Sequence, residues 1–125
     1  MALNAAFRWF IRKRMMNIER VRSRPVELQR HLFNRLLLEG KSTAFGAEHG
    51  FSSMRSLREF QRQVPIRTYD EFKPYIQRVQ QGELGVLWPG ETRWFAKSSG
   101  TSSDRSKFLP VTEASLRGCH YKGGK

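Results

Sequence analysis

The texture of the chain changes at Gly82, and that change limits the folds open to it. Ahead of this glycine, apolar residues recur at steps of three and four, the period of one helix face. Beyond it they fall into short extended runs: Val86-Leu87-Trp88, Thr92-Arg93-Trp94-Phe95-Ala96 and Phe108-Leu109-Pro110-Val111. Pro89-Gly90 divides the first two. A chain that is helical first and extended afterwards belongs to the α/β class, as α+β over this stretch. The expectation is four or five helices leading into short strands around one polar loop. The 125 residues are enough for one domain, which buries roughly two-thirds of the surface its unfolded form exposes.

The helical part can be read segment by segment. Residues 4–22 form a basic amphipathic helix, with Phe7, Ile11, Met15, Ile18 and Val21 or Arg22 along one stripe. Its arginines and late first acid suit either a presequence or membrane-surface helix, or a solvated helix docking its stripe on a larger body. Pro25 starts a second helix through Val26, Phe33, Leu36 and Leu37, and Gly40 gives it a left-handed exit. Residues 41–51 read as a connector. Ser56 with Glu59 and Thr68 with Glu71 are capping-box patterns, opening helices that end near Gln63 and Gln81. Val64-Pro65-Ile66 must be extended. Pro74 predicts a kink or break in the second of these helices, which Gly82 closes. Pro110 marks a further break, and Thr112 caps a last helix running to the end of the chain.

The net charge is +12, from 23 Lys and Arg against 11 Asp and Glu. That excess favours anionic partners without saying which. A lone cysteine, Cys119, excludes an intrachain disulfide framework and fits a reducing compartment. Beside His120 it reads as a buried thiol rather than half of a metal pair. No apolar run approaches the roughly 20 residues that cross a bilayer.

The polar run 97–107 separates two strand-like segments and is rich in small hydroxylated residues. Gly100 allows a positive φ and a close approach to an anion. Successive N–H groups in such a turn form a concave anion site. Ser98, Ser99, Thr101 and Ser102 add hydroxyl donors, and Lys107 adds a point charge. Composition alone leaves two readings, a loop for phosphates and an ordinary serine-rich hairpin turn. It is not the Gly-Lys-Ser/Thr phosphate loop, because Ser106 precedes Lys107 and Phe108 follows it.

Ser98-Ser99-Gly100-Thr101-Ser102, followed by Lys107 and Pro110, resembles the first motif of the GH3 acyl-acid amido synthetases. These belong to the acyl-adenylate-forming superfamily. Val64-Pro65-Ile66, Tyr69-Asp70-Glu71-Phe72, Pro74-Tyr75-Ile76 and Gly82-Glu83 stand at the family's spacing ahead of the loop, and Thr43, Phe45 and Gly46 look like its connector. The resemblance covers roughly residues 25–125. It implies that residues 1–125 are an incomplete N-terminal part of an adenylate-forming domain, inactive and poorly folded alone. It also implies a cytoplasmic ligase that uses ATP with Mg2+ to join a carboxylic acid to an amino acid. Ser98, Ser99, Gly100, Thr101, Ser102 and Lys107 would hold the ATP phosphates; no catalytic residue or metal ligand is assigned. The sequence departs at Asp104, where the wider family often has glycine, so this acid is expected to point away from the phosphates.

Two other readings remain. One keeps adenylation but ends in a thioester, as in acyl-CoA ligases. The other, resting on charge and the first helix, is a small basic protein for RNA or acidic membranes. The resemblance predicts neither a nucleic-acid nor a membrane partner.

Overall fold

The computed structural model describes residues 2–98 and 106–121, with side chains from Phe7 onward. It is mostly helical with a two-stranded antiparallel sheet, the α+β arrangement expected. Two compact units are distinguished, Met1–Arg35 and Leu36–Lys125.

The first unit holds α1 (Ala2–Ser23) and the start of α2 (Pro25–Gly40). Pro25 takes the first helical position, where its missing N–H costs nothing. The stripe Phe7, Ile11, Met15, Ile18 and Val21 is 41–66 % exposed, and Trp9 and Phe10 are exposed as well. The face expected to dock is therefore in contact with solvent.

In the second unit, Gly40 is not the left-handed exit expected: it is the last residue of α2 and lacks a positive φ. The packing around it is close instead. A Cβ on Gly40 would come within 3.2 Å of the Phe51 ring, and a Cβ on Gly46 would lie 2.0 Å from the Gly40 carbonyl oxygen. The expected connector contains a short helix, α3 (Ala44–Glu48). Thr43, 1 % exposed, ties it down. Its hydroxyl accepts from Gly46 N–H at 3.0 Å and donates to Gly40 O at 2.7 Å.

Residues 86–88 are not a strand. The N–H groups of Ala44 and Phe45, at the start of α3, donate to Gly85 O at 2.8 Å and Val86 O at 3.0 Å. A helix start leaves such donors without partners inside the helix, and this turn supplies the acceptors. Val86, 1 % exposed, is buried beneath it.

Helix α4 (Leu57–Gln63) opens where expected, with Ser56 Oγ accepting from Glu59 N–H at 3.2 Å. Its box is shifted by one residue, because Glu59 accepts from Arg55 N–H at 2.6 Å. Val64 is extended, as Pro65 requires. Helix α5 (Tyr69–Gln80) runs through Pro74 without the expected break. Pro74 lacks the N–H that would serve the Asp70 carbonyl, and both residues are exposed. Gly82, at φ 85°, ends the segment as expected.

Strand β1 (Trp94–Lys97) pairs with β2 (Phe108–Val111). After the Thr112 cap come one short turn of α-helix, α6 (Glu113–Ser115), and a wider π-helical turn over Leu116–His120. The expected single last helix is thus two turns of different pitch. Cys119 lies exposed on the wider turn, contrary to the expected buried thiol.

Leu37, Met54, Ile76, Val79 and Val86 form the buried core of the second unit. Beside them the Phe45 ring contacts His49, Phe51, Phe72 and Tyr75, with centroids 4.1–5.9 Å apart.

Candidate functional site at the root of the hairpin

The β1–β2 register pairs Lys97 with Phe108, Ala96 with Leu109, Phe95 with Pro110 and Trp94 with Val111. One step toward the loop, Ser98 N–H donates to Lys107 O at 3.0 Å. Antiparallel ladders alternate bonded and non-bonded pairs. Ser98–Lys107, Ala96–Leu109 and Trp94–Val111 are therefore the bonded pairs. At Lys97–Phe108 and Phe95–Pro110 the peptide groups turn outward. Pro110 consequently interrupts nothing, and the break expected at it is absent. It occupies a strand position whose N–H would point away from β1.

The outward peptide groups of Phe108 meet Tyr69, the first residue of α5. The Tyr69 hydroxyl accepts from Phe108 N–H at 2.8 Å and donates to Phe108 O at 3.3 Å. The Lys107 ammonium lies 5.7 Å from the centre of the Tyr69 ring, within cation–π range. Tyr69 holds this place because its neighbours fix the start of α5. The Glu71 carboxylate accepts from Thr68 N–H at 2.6 Å and from its hydroxyl at 2.8 Å. These bonds, the backbone one foremost, hold the Glu71 carboxyl below the ordinary carboxylate range.

Of the six residues expected to bind phosphate, the structure describes Ser98 and Lys107, and it brings them together across the hairpin. Ser98 spends its N–H on that pairing, so only its hydroxyl remains for a ligand. Ser99, Gly100, Thr101 and Ser102 lie outside the described residues, as does Asp104. The residue that sequence reasoning left without a role is Tyr69. Its signal was the Thr68–Glu71 box, which puts position 69 at the head of a helix.

A second polar cluster lies apart from the hairpin. Tyr75 OH donates to Glu48 at 2.5 Å and accepts from Arg67 at 3.1 Å. Arg67 also reaches His49 Nε2 at 3.1 Å and Glu48 at 3.6 Å. Its groups pair with one another, so it works as a brace between α3 and α5. Among the described residues no group of three or more His, Cys, Asp or Glu side chains could hold a metal ion. No described helix is long and apolar enough to cross a membrane.

A helical segment leading into an antiparallel hairpin is the α+β arrangement expected from the sequence. The chain belongs to the GH3 family: the profile described as the GH3 family N-terminal domain matches residues 14–124. GH3.9 of Arabidopsis thaliana is 31 % identical over 103 residues, which are 82 % of this chain and 17 % of that protein. Indole-3-acetic acid-amido synthetase GH3.2 of the same plant is 28 % identical over 105 residues, 83 % of this chain and 19 % of its own length. Jasmonoyl--L-amino acid synthetase JAR4 of Nicotiana attenuata is 27 % identical over 88 residues, 70 % of this chain and 15 % of its own. The chain thus spans less than a fifth of the length of these curated relatives.

Proposed function

We propose that this chain is the N-terminal, phosphate-binding part of an ATP-dependent acyl-acid amido synthetase working in the cytoplasm. In the first half-reaction a carboxylate oxygen of the acid bonds to the α-phosphorus of ATP. The bond from that phosphorus to the bridging oxygen breaks, and pyrophosphate leaves. In the second, an amino acid nitrogen attacks the activated carbonyl, the bond to AMP breaks and the nitrogen gives up a proton. The products are an amide and AMP.

The task of the loop, through Ser98, Ser99, Gly100, Thr101, Ser102 and Lys107, is to hold the ATP phosphates during the first step. The observation that carries this reading is the Ser98–Lys107 pair, which closes the hairpin and sets a lysine at the root of a loop of small donors. A hydrogen bond to a charged acceptor contributes about 1.5–3 kcal/mol. Unit charges 4 Å apart near a protein surface attract by about 4 kcal/mol before desolvation. Several donors and the lysine are therefore enough to orient a triphosphate. Mg2+ would enter with the nucleotide and would screen the phosphate charge, and no described residue is assigned to it.

Exchange of labelled pyrophosphate into ATP, measured on the intact protein, tests the role. Lys107→Ala is expected to lower exchange about 10- to 100-fold, the weight of one charged hydrogen bond. Gly100→Val should act in the same direction by blocking backbone approach. Asp104→Gly should be neutral or mildly favourable, since it removes a negative charge. Unchanged exchange in both Lys107→Ala and Gly100→Val would refute the role. Residues 1–125 alone are expected to show no exchange, because a phosphate loop without an adenine pocket grips one end of the nucleotide. Supplying an amino acid or a thiol acceptor separates the amide from the thioester product.

A further inference from the structure

The position of Lys107 depends on how the end of the loop is held, and the hairpin by itself holds only one side of it. Phe108 belongs to a non-bonded pair, so its N–H and C=O turn away from β1. Without another partner, β2 would carry unpaired peptide groups immediately after the lysine. The single hydroxyl of Tyr69 meets both, accepting at 2.8 Å and donating at 3.3 Å. The ring of the same residue lies under the Lys107 ammonium at 5.7 Å. One side chain therefore fixes the strand that carries the lysine and supports the lysine's charge.

We infer that Tyr69 is a positioning residue for the phosphate loop, its hydroxyl pinning the edge of β2 at Phe108 and its ring supporting the Lys107 ammonium. The inference rests on the phosphate reading given above. Three features specify the device. The bonding alternation of the hairpin turns the Phe108 peptide groups outward. The Thr68–Glu71 bonds fix the first turn of α5, where Tyr69 sits. A phenol alone among side chains combines a hydroxyl that both donates and accepts with an aromatic face for a cation. Phenylalanine would keep the face and leave the Phe108 groups without this partner. Serine would lack the reach and the face.

Two measurements on the intact protein and its variants decide the matter. The first is amide hydrogen exchange at Phe108, whose N–H has the Tyr69 hydroxyl as its partner. Tyr69→Phe is expected to speed exchange there by about tenfold, the factor of one ordinary hydrogen bond. Exchange at Val111 and Ile76 should stay unchanged, which shows that the hairpin and α5 persist. The second is binding of inorganic tripolyphosphate. Tyr69→Phe should weaken it about three- to tenfold, and Tyr69→Leu, which also removes the ring, should weaken it further. Unchanged Phe108 exchange in Tyr69→Phe overturns the pin. Wild-type tripolyphosphate affinity in Tyr69→Leu overturns the positioning role. Equal tripolyphosphate binding by wild type and Lys107→Ala defeats the phosphate reading itself, while Phe108 exchange still decides the pin.

Discussion

Tyr75 stands between opposite charges, accepting from Arg67 and donating to Glu48. An arginine can only donate, so His49 Nε2 must accept, and its Nδ1 proton goes to Phe45 O at 2.8 Å. The arrangement allows one histidine tautomer. The Tyr75 bond is the chief reason the Glu48 carboxyl lies below its ordinary range. A carboxyl lowered by folding stabilises the fold above its unfolded pKa, and that contribution is lost as pH falls through the folded value. Tyr75→Phe should therefore lower the Tm of the intact protein at neutral pH. The difference from wild type should shrink on acidification below the ordinary glutamate range. A constant difference from pH 7 to pH 3 in thermal melts would contradict this account. The Pro74-Tyr75-Ile76 motif is visible in the sequence. Its pairing with Glu48, 27 residues earlier, is not, because no local pattern encodes that meeting.

At the scale of elements, two glycines separate local from long-range demands. Gly82 has a positive φ with nothing near its absent side chain. Gly82→Ala should cost about 1–2 kcal/mol, the strain of a left-handed residue. Gly46 instead gives room to the end of α2, and alanine there would strike the Gly40 carbonyl. Backbone cannot rotate aside as a side chain can, so Gly46→Ala should cost about 3 kcal/mol. Denaturant unfolding of both variants should rank Gly46→Ala as the more damaging, and the reverse order would show that the α2–α3 junction yields easily. The sequence reading found Gly82 because helix exits are local. It assigned the same role to Gly40, whose absent side chain instead leaves room for the Phe51 ring. Residues 86–88 differ from expectation for a similar reason: their apolar run suits a strand, but the turn at Gly85 and Val86 gives its carbonyls to the start of α3.

At the scale of the whole molecule, α1 is a docking element for a larger body if its deletion costs stability and spares nucleotide binding. Its apolar stripe is exposed, and it lies in a different compact unit from the hairpin. Deleting residues 1–22 from the intact protein should lower Tm while leaving the KM for ATP in pyrophosphate exchange within about twofold, less than one hydrogen bond is worth. Binding of the 1–22 peptide to anionic vesicles, retained by the whole protein, would instead favour the membrane-surface reading of the basic helix.

The sequence by itself determined the helical first part, most of the caps, extended pieces at residues 92–96 and 108–111, and the family; the strand itself runs over Trp94–Lys97. Each rests on signals within a few residues: a period, a capping pair, a proline, a motif. Tertiary structure alone decided that Gly40 and Gly46 meet and that Gly85 and Val86 serve α3. It alone carried α5 past Pro74 and set Tyr69 against Phe108, 39 residues away. Those outcomes depend on which peptide groups and side chains remain unsatisfied once the local elements exist. Only the packed chain brings their partners within reach.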